Sequence, residues 1–122
     1  MEGDFRAARS AKERRAEARR LRDLDSTRVP VVIEKARATD RLNTIPRSKF
    51  LTPYDLTVGQ LMYVVRKHVR LPASQALFLF VCQEGGGRDI PPAAALVGEV
   101  FERHQWDDGF LYMSYCEENA FG

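Results

Sequence analysis

Cysteine is scarce in this chain. Cys82 and Cys116 are the only two, and neither belongs to a spaced pair of the kind that holds zinc. Both sit in strand-like apolar stretches, so they are expected to be reduced, buried core thiols rather than a disulfide. No apolar run approaches the roughly 20 residues that a bilayer-spanning helix needs. The N-terminus is charged where a secretory signal would be apolar. These absences point to a soluble, cytosolic protein. Catalytic signatures are missing too: no HExxH and no GxSxG occur, and the only histidines, His68 and His104, have no cysteine or serine near them in sequence. The triple glycine of "EGGGRD" lacks the Lys-Ser/Thr of a phosphate loop and opens no helix, so phosphate binding is not expected. Asp107-Asp108 and Glu117-Glu118 are expected to be solvated turn and tail residues rather than paired catalytic carboxylates. No metal ligands and no catalytic residues are therefore assigned.

What is present suits one small domain. The chain has 122 residues, 44% of them hydrophobic, enough for a single core. The net charge is only +2, but residues 1–24 hold eight Lys/Arg against five Asp/Glu. The run "RRAEARRLRD" raises the possibility of a nucleic-acid or membrane arm. Glu13 and Glu17 lie within or beside it, and no aromatics interleave as single-strand binders require, which favours a solvated helix and no nucleic-acid partner.

Periodicity supplies the elements. Residues from Phe5 to about Leu24, rich in Ala, Arg and Glu, predict one helix with a thin apolar stripe of Phe5, Ala8, Ala11, Ala18 and Leu21 that must dock on something else. In "RVPVVIEKA", Val29, Val31 and Ile33 alternate with Pro30, Val32 and Glu34, so both faces of this strand expect cover near its start. Pro30 suits an edge or an early strand position. Residues 36–48 read as a loop, and "KFLTPY" as a short strand stopped by Pro53. Thr57 with Gln60 is a capping box opening a helix whose Val58, Leu61, Met62, Val65 and Val69 face inward. "QALFLFVC" predicts a central strand, "QEGGGRD" a mobile loop, and residues 93–104 a helix with Leu96, Val97, Val100 and Phe101 inward. A last strand, "GFLYMSYC", puts Leu111, Met113 and Tyr115 on one face and Phe110, Tyr112 and Ser114 on the other. The order predicts an α+β fold: a β-grasp with a four-stranded mixed sheet and an N-terminal helical extension. The capped helix covers one sheet face, and the N-terminal helix the other.

The blocks "RVPVVIEKA", "KFLTPYDLTVGQLMYVVRK", "ALFLFV", "IPP" and "GFLYMSY" with the terminal "FG" resemble, in order, the ubiquitin-like autophagy modifiers of the GABARAP and light-chain-three type. The similarity runs from about Glu13 to Gly122. It implies a ubiquitin-like β-grasp core with two N-terminal helices, in three parts: a helical arm over 1–24, a ubiquitin-like core over 25–116, and a flexible conjugation tail over 117–122. It also implies a non-enzymatic modifier with no cofactor. Its terminal carboxyl, at Gly122, is adenylylated, passed through thioesters on an activating and a conjugating enzyme, and joined as an amide to phosphatidylethanolamine of an autophagic membrane. Glycine suits this because its carbonyl carries no flanking Cβ. Many members carry residues beyond the glycine that a cysteine protease removes. None follows here, so the carboxyl is either born mature or exposed by trimming.

The same resemblance implies binding of cargo receptors through aromatic-x-x-aliphatic peptides, added as a strand to an exposed sheet edge. By motif position, Glu17, Leu21, Pro30, Lys49, Leu51 and Phe110 would form the aromatic pocket. Phe50, Thr52, Pro53, Leu56, Leu61 and Val64 would form the aliphatic one. Arg28, Arg47, Lys49 and His68 would meet acidic residues beside the motif. Thr52 stands in place of a small aliphatic, making that pocket more polar. His68 replaces a usual arginine, putting one charge under pH control. The glycine-rich insertion at 84–89 and an extra residue within 36–48 depart from the family pattern. Two alternatives stay open: a sibling modifier joined to a protein lysine, which "DDG" and "YC" near the end resemble slightly, and an unconjugated trafficking or cytoskeletal adaptor.

Overall fold

This computed structural model describes residues 4–36, 42–45, 47–71 and 74–117. Its elements run α1 (Asp4–Ala7), α2 (Ala11–Leu24), β1 (Arg28–Lys35), β2 (Lys49–Pro53), α3 (Val58–Val69), β3 (Phe78–Cys82), β4 (Arg88–Asp89), α4 (Val97–His104) and β5 (Leu111–Cys116). The strands form one mixed sheet in the order β2-β1-β5-β3-β4. β1 and β5 are parallel, and the other pairings are antiparallel.

The N-terminal segment is two helices, as the resemblance implies, and not the single helix that periodicity predicts. Ser10 takes extended backbone and caps α2, its hydroxyl accepting from Glu13 N–H at 3.1 Å while the Glu13 carboxylate accepts from Ser10 N–H at 2.8 Å. That capping box stops α1 after one turn. Ala8 and Ala11 are exposed in consequence, whereas Phe5, Ala18 and Leu21 are buried as expected.

β1 is covered on both faces. Val29, Val31 and Ile33 pack with Leu61, Val65, Leu111 and Met113 beneath α3. Val32 joins Phe5, Ala18, Leu21, Phe110 and Tyr112 beneath the N-terminal helices. Ile33 N–H donates to Ser48, so by alternation the Pro30 nitrogen is turned from β2 towards the β5 side. Pairing with β5 begins only at Val31, so the missing N–H costs no ladder bond.

Three other expectations change. The sheet has five strands, because Gly85, Gly86 and Gly87, all at positive φ, turn the chain back as a hairpin. β3 begins at Phe78 and is an inner strand, paired with β5 and β4, but the middle place of the sheet belongs to β5. α4 begins at Val97, leaving Leu96 as its cap. The capping box at Thr57 and Gln60 is present as read. Within the stretch taken as loop, Leu42 and Ile45 are buried, held by the Tyr115 hydroxyl, which accepts from Ile45 N–H at 3.1 Å and donates to the Asn43 carbonyl at 2.9 Å. Most of the predicted tail, residues 118–122 with Gly122, lies outside the described residues.

Neither cysteine is in a disulfide, and only Cys116 is fully buried. Cys82 is half-buried with its sulfur 3.1 Å from the Ser114 hydroxyl, and burial pushes its thiol up. A thiol reagent is expected to label Cys82 slowly and Cys116 only after denaturant unfolding. Fast labelling of both in the native protein would contradict the sheet as described.

Candidate functional site

The edge of the sheet at β2 is where sequence and structure converge. Ser48 accepts from Ile33, and Tyr54 N–H donates to Thr27, so the even-numbered residues of this stretch turn their backbone towards β1. The N–H and C=O groups of Lys49 and Leu51 therefore point outward along an open edge. Pro53 has no N–H to offer and ends it.

Side chains alternate across this strand. Lys49 and Leu51 pair in register with Val32 and Pro30, while Phe50 and Thr52 pair with Val31 and Val29. Leu51 thus packs against Leu21 and Phe110, and Phe50 and Leu56 pack against the larger core under α3. The two residue groups that the resemblance names thus lie on opposite faces of β2. Pro30, Thr52, Leu61 and Phe110 are buried. Leu51, Phe50, Pro53, Leu56 and Val64 are only partly buried.

A groove of about 560 Å³ runs between α2 and β2. Arg20 and Leu21 line it from α2, Arg47, Lys49 and Leu51 from the strand side, and Phe5 and Arg9 from the N-terminal end. Glu17 clasps it, its carboxylate accepting from Lys49 Nζ at 2.6 Å and from Arg20 at 2.9 and 3.1 Å. These bonds, Arg20 first and Lys49 second, hold the Glu17 carboxyl down to about 2. The clasp is therefore ionic throughout the ordinary pH range.

The basic residues expected to flank a peptide are spread along the edge rather than clustered. Arg47 and Lys49 stand at the start of β2, whereas Arg28 faces Pro53 at its far end. Arg28 bridges Asp25 at 3.2 Å and donates to the outward Leu51 carbonyl at 3.2 Å. His68 lies on the α3 side, with Val64 O 2.9 Å from its Nδ1 and its ring edge-on to Phe50.

Two groups escaped the sequence reading. Phe5 packs edge-on to Phe110 at 5.0 Å and so closes the back of the groove; a lone aromatic in a charged arm was the available signal. Asp108 is not a solvated turn residue. It is buried against Arg14, whose Nε donates at 3.0 Å, and it accepts from the Tyr112 hydroxyl at 2.5 Å and Phe110 N–H at 3.0 Å. Arg14 also donates to the carbonyls of Arg6 and Arg9. Burial first, and the Asp108 carboxylate second, push the Tyr112 phenol well above its usual range, so it stays a donor. This network fastens α1 and α2 to the sheet, and no sequence motif announces it. Among the described residues no cluster of His, Cys, Asp and Glu could hold a metal ion, and no helix is long and apolar enough to cross a membrane.

A mixed sheet crossed by α3, with an added helical layer and an open edge beside it, defines a ubiquitin-like protein. The profile of the family described as "Autophagy protein Atg8 ubiquitin like" matches residues 13–122. The chain is 43% identical over 122 residues to Autophagy-related protein 8 of Coccidioides immitis (strain RS), covering 100% of this chain and 99% of that one. It is 44% identical over 118 residues to Autophagy-related protein 8B of Oryza sativa subsp. indica, covering 97% and 94%. The crystal structure of Trypanosoma brucei ATG8 superposes with a TM-score of 0.82 at 33% identity, covering 100% of both chains. The chain belongs to the Atg8 family of autophagy-related ubiquitin-like proteins.

Proposed function

We propose that this protein is a modifier joined through Gly122 to phosphatidylethanolamine on autophagic membranes, where it recruits partners carrying aromatic-x-x-aliphatic motifs. It is cytoplasmic until conjugated. Its partners are the activating and conjugating enzymes, a processing cysteine protease, and cargo receptors. In the reaction it is the acyl group transferred, not the catalyst, and it needs no bound cofactor of its own.

The observation that supports this reading best is the β2 edge. Outward backbone groups at Lys49 and Leu51 lie beside a groove whose two walls belong to different layers of the fold. An extended peptide satisfies those groups, each bond contributing about 0.5–1.5 kcal/mol net. Its alternating side chains fall into the two pockets. The aromatic side chain would enter by Leu21 and Leu51, displacing the Glu17–Lys49 clasp, and the aliphatic one would sit by Phe50, Leu56 and Val64. An acidic residue near the motif could take over the Arg28 guanidinium and free the Leu51 carbonyl for the incoming strand.

Leu51→Ala removes a wall of the aromatic pocket and is expected to weaken a Trp-x-x-Leu peptide by about 1–3 kcal/mol. Titration of a fluorescent peptide against wild type and the variant measures it. Equal affinities would place peptide binding elsewhere or remove it.

A further inference from the structure

α2 has a second flank, turned away from β2. There a groove of about 470 Å³ lies between α2 and the segment from the end of α4 to Gly109. Its floor is apolar, made by Ala18 and Phe101. Gly109, at φ 88°, lets the chain pass so near that a Cβ there would lie 3.0 Å from the Ala18 Cβ. Along its rim stand Arg15, Arg19 and Arg22. Arg22 stacks over the Phe101 ring at 5.2 Å, and neither it nor Arg19 forms an ion pair among the described residues. Arg15 holds only the exposed Asp107, at 2.7 Å. The other carboxylate of the groove, Asp108, is already committed to Arg14 and Tyr112.

Cations are favoured near a helix C-terminus, which accounts for the charge of Arg19 and Arg22 but not for their alignment above an apolar floor. Spacing decides what they fit. Positions 15, 19 and 22 span about 10 Å along the helix axis, with the first two about 6 Å apart. Three guanidinium groups strung out in this way do not converge on one phosphate. They can reach carboxylates on alternate residues of an extended chain, which repeat at about 6.7 Å, the length of the arginine side chains making up the difference from intervals of about 6 and 4.5 Å along the helix. The intervening small side chains of such a chain would face the Ala18 and Phe101 floor.

We propose that this flank is a second docking surface, for an extended acidic peptide segment of a partner protein, with Arg15, Arg19 and Arg22 pairing its carboxylates. It shares only α2 with the β2 groove and holds whether or not that groove binds peptide. Arg15 exchanges Asp107 for a ligand carboxylate, and Arg19 and Arg22 gain partners.

The test uses the full chain and a fluorescein-labelled peptide alternating glutamate with alanine, with a lysine–alanine peptide and phosphatidylserine vesicles as parallel probes. Wild type is expected to bind the glutamate peptide with an affinity that falls as salt rises. Arg19→Glu with Arg22→Glu should lose at least about tenfold, and Leu51→Ala should lose nothing. Arg19 is exposed and Arg22 only partly buried, so the double variant should keep a melting temperature close to that of wild type; if it does not fold, Arg19→Gln with Arg22→Gln should show a smaller loss in the same direction. Unchanged binding in the arginine variants, equal binding of the lysine peptide, competition by a Trp-x-x-Leu peptide, or binding confined to vesicles would each overturn the proposal.

Discussion

Gly122→Ala is expected to abolish the lipid adduct and membrane puncta while leaving the melting temperature unchanged. The two parts of this result have separate causes. A Cβ beside the carbonyl hinders attack at each acyl transfer and widens a chain end that must thread a narrow enzyme cleft. The fold should be indifferent, because a chain end commonly buries little, and among the described residues the two buried clusters run from Phe5 to Tyr115. Intact mass of the cellular protein reads the outcome. Wild type should carry phosphatidylethanolamine, and the variant no adduct. Wild-type lipidation of the variant would refute Gly122 as the site. An amide to a protein lysine would reassign the acceptor, and an unmodified wild type would point to an adaptor.

Asp108→Ala should be the most destabilising single change in the described core. Removing this carboxylate leaves the Arg14 guanidinium charged and buried, and also strands the Tyr112 hydroxyl and the Phe110 N–H. Breaking a buried pair from one side costs about 3–5 kcal/mol. For a domain of this size that lowers the melting temperature by roughly 10–30 °C. Arg14→Met combined with Asp108→Asn should recover much of the loss, since the amide oxygen still accepts from Phe110 N–H, its NH2 can donate to the Tyr112 hydroxyl, and no charge is left alone. Trp106, the single tryptophan, packs at a tilt against Tyr112 with ring centroids 4.4 Å apart and reports unfolding by its fluorescence. An Asp108→Ala variant as stable as wild type would mean the pair contributes nothing.

The division between what was legible in the chain and what was not follows the range of the interactions. β1 and β5 declare themselves through a period of two, and α3 through its capping box and apolar face, because these preferences are set by residues within a turn or two of one another. Ser10 and Glu13 were legible in the same way, but the helix propensity of the surrounding Ala and Arg masked the break; local geometry at Ser10 overrode it. The split of Lys49 and Leu51 from Phe50 and Thr52 was also a local matter of strand pleat.

The rest depended on distant residues meeting. β5 slots between β1 and β3 and takes the middle of the sheet, leaving β3 interior but one place from the edge, since strand order is set by which faces can be buried together and not by any single segment. Leu42 and Ile45 are core residues only because the Tyr115 hydroxyl, on the other side of the sequence, satisfies the backbone beside them. Asp108 looks like a turn aspartate until Arg14, far away in sequence, takes it out of solvent. The sequence by itself determined the fold class, the strand faces, the capped helix and the residues beside the β2 edge. The tertiary structure alone decided that α2 would stand beside that edge and form a groove, that Glu17 and Lys49 would clasp it, and that the arginines on the opposite flank would line up over Phe101. Amphipathic patterns specify which face is buried, but only packing specifies against what.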